Sequence, residues 1–197
     1  MMISFPNKKY QVIYADPPWS YNDKASAGKR GASFKYPTQS LKWIENLPVS
    51  EIADENCVLF LWVTMPQLKD CWNVIANWGF EYKTVAFTWV KRNKKSDSWF
   101  FGMGNWTRAN AELCLLCTKG KIKRESASVH SVVDARIRSH SQKPDEVRDR
   151  IVQLMGDLPR IELFARQKTD GWDALGFDID GKDIKESIKL LAQNKSL

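Results

Sequence analysis

The sequence is short of the features that would assign it to several common classes. No apolar run approaches the roughly 20 residues that cross a bilayer, and the first twenty residues lack a secretion-signal pattern. These absences predict a cytoplasmic protein with no membrane contact. Histidine is scarce, with only His130 and His140, and there are four cysteines in 197 residues. The pair in "CLLC", Cys114 and Cys117, has no second pair to complete a zinc site. In a strand, positions three apart face opposite ways, so the two thiols would not meet. Free cysteine in apolar runs behaves as a small buried hydrophobe, and we expect no metal. Internal repeats, low-complexity tracts and linkers are also missing, which predicts a single domain over residues 1–197.

Positive charge, by contrast, is in excess. Thirty Lys and Arg face 23 acids, giving a net charge of +7 and a pI near 9.2. A balance of this kind favours a polyanionic partner. With 43% hydrophobic residues the chain can still bury a substantial core.

Residues 9–15, 57–64, 81–91, 111–118 and 160–165 are apolar, β-branched and aromatic, and are predicted to be strands buried on both faces. Residues 66–78 and 144–155 open on proline and stop at Gly79 and Gly156, as helices do. In the first, Leu68, Trp72, Ile75 and Ala76 form the apolar stripe. The tail from residue 182 to 197 is predicted to be a short amphipathic helix. Strands alternating with helices imply an α/β doubly wound sheet with ligands beyond the carboxyl ends of the strands. Residues 20–40 and 92–110 lack periodicity. The second segment mixes Lys91, Arg92, Lys94 and Lys95 with Trp99, Phe100 and Trp106, a combination suited to phosphates and stacked bases.

The chemistry concentrates at "ADPPW", residues 15–19, where the first strand ends. Proline fixes its backbone and supplies no amide hydrogen. Asp16 and the Pro17 carbonyl therefore offer two acceptors with no competing donor between them. An exocyclic amine, with two N–H donors, fits such a pair. Holding both hydrogens favours a pyramidal nitrogen whose lone pair can attack. An ordinary aspartate, pKa about 3.9, is too weak to deprotonate the amine beforehand. It would orient the amine and stabilise the developing charge. Trp19 offers a π-face for the base, or else covers the core.

"ADPPW" resembles the catalytic motif of S-adenosylmethionine-dependent amino-methyltransferases, and most closely the 70-kDa adenosine-methyltransferase (MT-A) family. The similarity continues through "LFLWVT" (59–64), "WGFEYKTVAFTWVK" (78–91), "NWTRANAELCLLCTKG" (105–120), "SHSQKPDEV" (139–147) and "RIELFAR" (160–166). The resemblance implies a Rossmann-like class I methyltransferase with permuted motif order and no separate target-recognition domain. It implies catalytic roles for Asp16, Pro17, Pro18 and Trp19. Contacts to S-adenosylmethionine would come from Asp16, Lys143, Phe164, Arg166 and Asp178. Phe177 stands where relatives often carry asparagine. Substrate contacts are expected from Trp19, Tyr36, Lys91, Arg92, Trp99, Trp106 and Glu112. The implied reaction is methylation of the N6 amine of adenine in DNA, with RNA as the alternative. Target selectivity would come from short loops, a partner subunit or a homodimer. A non-catalytic nucleic-acid-binding paralogue and a methyltransferase for protein amides are the competing classes. The intact tetrad opposes the first, and the basic charge opposes the second.

Overall fold

The computed structural model describes residues 9–20, 39–104, 106–139, 142–181 and 183–193. Seven strands form one sheet in the order β5-β3-β4-β2-β1-β6-β7. The strands are β1 (Tyr10–Ala15), β2 (Ala53–Val63), β3 (Glu81–Arg92), β4 (Glu112–Lys119), β5 (Val132–Arg136), β6 (Arg160–Leu163) and β7 (Asp173–Leu175). β1 pairs in parallel with β2 and β6, β6 with β7, and β3 with β5. Only β4 runs against its neighbours, β2 and β3. Six strands thus end at one edge, and β4 begins there. This is the mostly parallel α/β sheet that the sequence predicts.

Alternate side chains divide between two cores. On one face Ile13, Ala15, Leu59, Leu61, Leu163 and Leu175 meet helices α1 (Leu41–Glu45), α2 (Cys71–Asn77) and α5 (Ile184–Gln193). On the other, Val12, Tyr14, Phe60, Trp62, Phe87 and Trp89 meet Val147, Ile151 and Met155 of α3 (Glu146–Met155). Cys117 packs in the first core and Cys114 in the second, on opposite faces of β4. Glycines at Gly79 and Gly156 end α2 and α3 with φ near 81°, a conformation with little penalty only for glycine.

The structure differs from the sequence expectation in two places. The helix expected over 66–78 begins only at Cys71, after a separate 3-10 turn, Met65–Gln67. That turn holds the Gln67 side chain against the tetrad loop, where its Nε2 donates to the Ser20 carbonyl at 2.6 Å. The apolar stripe shifts in consequence to Cys71, Val74, Ile75 and Trp78. Trp72 is exposed and meets Tyr82 edge-on. Second, β5 and β7 were not read as strands. Each is short, carries an aspartate and lies at a sheet margin, where one side needs no apolar neighbour. The helix expected in the tail is present over Ile184–Gln193. No helix among the described residues is long and apolar enough to cross a membrane.

Candidate active site

Asp16 follows β1 directly, at the middle of the edge where six strands end. The chain cannot continue a ladder through Pro17 and Pro18, so it turns sharply. The Pro17 carbonyl accepts from the Trp19 amide at 2.8 Å, and the Pro18 carbonyl from the Gln39 amide at 3.1 Å. A carbonyl has two lone pairs, so Pro17 retains one for a further donor.

Around Asp16 the structure builds a row of alternating charge. Lys143 Nζ donates to Asp16 Oδ2 at 2.7 Å and lies 3.3 Å from Glu112 Oε2. Glu112 Oε1 in turn accepts from Lys91 Nζ at 2.5 Å. The order is Lys91, Glu112, Lys143, Asp16. Both ammonium groups also sit over indoles, Lys91 5.0 Å from the Trp89 ring and Lys143 5.4 Å from the Trp62 ring. Those two rings pack edge to face at 6.5 Å. A cation over an indole face gains from the ring quadrupole, more so away from water.

Burial sets the electrostatics. The Lys143 side chain is 7% exposed and that of Asp16 26%. Burial pushes the Asp16 carboxyl above its ordinary range, and the nearby Glu112 charge adds to this. Lys143 and, more weakly, Arg166 oppose the rise. At Glu112 burial also works against ionisation, but Lys143 and Lys91 together outweigh it and hold the carboxyl below its usual range. Burial disfavours charge on Lys143 as well, yet two carboxylates keep it protonated with its pKa raised.

Trp19 is only 2% exposed and belongs to the core beneath the sheet edge. Its Nε1 donates to the Trp62 carbonyl at 2.9 Å. The expected π-face for a substrate base is therefore corrected: the indole anchors the Asp-Pro-Pro turn and covers the core. Trp62 serves both sides, since its own Nε1 donates to Tyr14 Oη at 2.7 Å. Trp19→Ala should consequently cost about 3–5 kcal/mol of stability, the range for emptying a buried aromatic site. Thermal melting checks this. A fully stable variant with only weakened substrate binding would restore the stacking role.

Phe164 and Arg166 follow β6, and Asp178 lies on α4 (Phe177–Asp180) after β7, all at the same edge as Asp16. Phe164 turns the chain with φ 63°, left-handed backbone that costs a non-glycine residue roughly 1 kcal/mol or more. The Ala165 amide then donates to the Leu175 carbonyl at 2.9 Å. A Cβ at Gly176 would meet the Ala165 carbonyl oxygen at 2.2 Å, so only glycine permits this approach. Arg166 and Asp178 are both exposed.

Two expected phosphate contacts are also corrected. Lys91 is turned inward onto Glu112. Arg92 makes a bidentate pair with Asp134 at 2.6 Å, donates to the Asp97 carbonyl and stacks on Trp99 at 4.2 Å. Its charge and one face of Trp99 are thereby occupied. Glu112, expected to contact substrate, lies between Lys91 and Lys143 in the charged row. Trp106 stands apart on the loop after β3, almost wholly exposed. Tyr36 lies outside the described residues.

Several contributors were not singled out from the sequence. Glu162 of β6 is buried and accepts two bonds from Arg148, at 2.7 and 2.8 Å, while Arg148 also lies over the Tyr14 ring. The one signal was an acid within the apolar run "RIELFA". Thr64, just after β2, has a buried hydroxyl with no hydrogen-bond partner among the described residues.

Comparison with known proteins agrees in extent with this geometry. The MT-A70 family profile matches residues 10–178. Type II methyltransferase M.MunI from Mycoplasma sp is 39% identical over 198 residues, covering 91% of this chain and 82% of that protein. The human N(6)-adenosine-methyltransferase catalytic subunit METTL3 is 31% identical over 180 residues. There the match covers 88% of this chain but 29% of the relative. An Arabidopsis thaliana MT-A70-like N(6)-adenosine-methyltransferase is 27% identical over 184 residues.

Proposed function

Because this chain belongs to the MT-A70 family, we propose that it transfers a methyl group from S-adenosylmethionine to the N6 amine of adenine in DNA. The observation that carries the reading is the Asp16–Pro17 acceptor pair at the carboxyl edge, with Asp16 held by Lys143. The residues present fit the cofactor by their chemistry. Asp178 offers a carboxylate to a ribose diol and Arg166 a cation to a carboxylate. The unpartnered Thr64 hydroxyl is a further polar group at the same edge. When bound, S-adenosylmethionine supplies an electrophilic methyl group.

The chain's own part is to prepare the amine. Asp16 Oδ2 is engaged by Lys143, which leaves Oδ1 and the second lone pair of the Pro17 carbonyl to hold the two amine hydrogens. Adenine N6 shares its lone pair with the ring, and this arrangement withdraws it from that conjugation. Methylation leaves the nitrogen positive with a surplus proton. A carboxylate raised by burial is a better acceptor for that proton than an ordinary aspartate. Asp16 thus orients before the transfer and stabilises charge during it.

DNA is preferred over RNA because the 39% identical relative is named a type II methyltransferase and is matched over most of its length. The adenosine methyltransferases match over a smaller share of theirs. This reading places the protein in the cytoplasm beside DNA. Supplying labelled S-adenosylmethionine with duplex DNA, single-stranded DNA, RNA and protein in parallel tests it. Label in adenine of DNA is the expected result. Label confined to RNA would reassign the substrate, and label in protein would overturn the reading.

A further inference from the structure

The segment between β3 and β4 is a rooted arm. Its base is closed by Asn110, whose Oδ1 accepts from the Lys91 amide at 2.8 Å and whose Nδ2 donates to the Lys91 and Phe100 carbonyls. Higher up, the Gly102 amide donates to the Ala109 carbonyl at 2.6 Å, and Asn93 Nδ2 donates to Ser98 Oγ and the Trp99 carbonyl. Backbone organised in this way would normally cover its apolar side chains, but here they project. Phe101 is 61% exposed, Met103 68% and Trp106 98%. Large apolar groups held out of a structured element mark an interaction surface.

Charge selects the partner. From Lys91 to Asn110 the chain carries Lys91, Arg92, Lys94, Lys95 and Arg108 against a single acid, Asp97. Lys91 and Arg92 are paired with Glu112 and Asp134, and Asp97 is paired with Arg136. Lys94, Lys95 and Arg108 remain as exposed cations on the arm. Two copies meeting arm to arm would set like charges together, whereas a polyanion whose interior is a stack of rings satisfies both charge and apolar surface. The arm also springs from the site itself, because Lys91 at its base is the outer end of the charged row that reaches Asp16.

The acceptors for the amine are recessed. The Asp16 and Glu112 side chains are mostly buried, so an adenine still paired in a duplex cannot bring its amine to them. The base must leave the stack, and something must offset the unstacking. We propose that the 93–110 arm is the base-opening element of this enzyme, with Trp106 inserting into the duplex in place of the extruded adenine. Phe101 and Met103 would flank it, and Lys94, Lys95 and Arg108 would hold the adjoining phosphates. This rests on the DNA reading above.

The test compares wild type with Trp106→Ala on the same DNA sequence as a duplex and as a single strand, in the presence of S-adenosylmethionine. Because Trp106 is almost wholly exposed, its removal takes nothing from the core. Stacking of a side chain on a base contributes about 1–3 kcal/mol, so turnover on the duplex should fall about fivefold or more. Turnover on the single strand should stay within about threefold. Duplex carrying 2-aminopurine at the target adenine should brighten with wild type and stay dark with the variant. Equal loss on both substrates, or no loss on either, overturns the wedge. So does a variant that changes oligomeric state in sedimentation, which would make a second copy the occupant. A wild type silent on all DNA overturns the DNA reading itself. A wild type active on both forms beside an indifferent variant overturns the wedge alone.

Discussion

Asp16→Ala is expected to lower methyl transfer on the order of 100-fold or more, the loss that follows removal of one preorganised charge-stabilising contact. Binding of S-adenosylmethionine should change far less, because the chemistry that fits the cofactor is spread over Arg166, Asp178 and other groups at the same edge. Single-turnover transfer and calorimetry separate the two effects. Asp16→Asn is a sharper version. It keeps the shape and one acceptor, but it turns an amide where a carboxylate faced Lys143. The wild-type pH profile should carry the same signature. Asp16 must be ionised to accept both amine hydrogens, and burial raises its pKa. The acid limb of kcat/KM should therefore lie above the ordinary aspartate range near 3.9 and disappear in both variants. Turnover within a few-fold of wild type would remove Asp16 from the mechanism.

Lys143→Met should lower stability about as much as Trp19→Ala, for an electrostatic reason. Removing one partner of a buried ion pair costs about 3–5 kcal/mol because the other is left uncompensated. Here two carboxylates, Asp16 and Glu112, lose their shared cation. The sign of the pH dependence distinguishes this from simple loss of packing. In wild type, Glu112 is held below its usual range, so its contribution is present at neutral pH and is lost as pH falls through its folded value. In the variant Asp16 keeps only the weaker opposition of Arg166 to its burial, and Glu112 only that of Lys91, so both carboxyls stand higher than in wild type. Their folded form then favours the proton, and the variant should recover stability as the medium turns mildly acidic. The acid limb of activity should move to higher pH at the same time. Melting temperature followed from neutral to acid pH reads the first effect and kcat/KM the second. Lys143→Arg, which keeps the charge, should restore much of both. A variant that only weakens cofactor binding, with an unmoved pH profile, would return Lys143 to the cofactor alone.

Much of this protein is legible in its residues taken in order. Strands with both faces buried announce themselves as continuous apolar runs, so β1, β2, β4 and β6 could be placed without coordinates; β3 was expected to be buried on both faces as well, but its first four residues are exposed. "DPPW" declares a stiff turn because proline constrains the backbone locally, whatever surrounds it. The opposite orientation of Cys114 and Cys117 follows from the pleat. These features depend on near neighbours. The charged row does not. Lys91, Glu112, Lys143 and Asp16 come from four separate places in the chain, and only the antiparallel entry of β4 between β2 and β3 sets Glu112 at the edge where the other strands end. Sequence chemistry gave Lys91 and Arg92 to phosphate, as exposed cations after a strand. Tertiary contacts gave them to Glu112 and Asp134 instead, because a carboxylate brought near by the fold is a fixed partner that a cation meets before any ligand arrives. Trp19 is the same lesson in apolar form. Its type suits a stacking face and a core cover equally well. Only the position of the Trp62 carbonyl beneath it decides for the core, since an indole N–H buried beside an acceptor is held there.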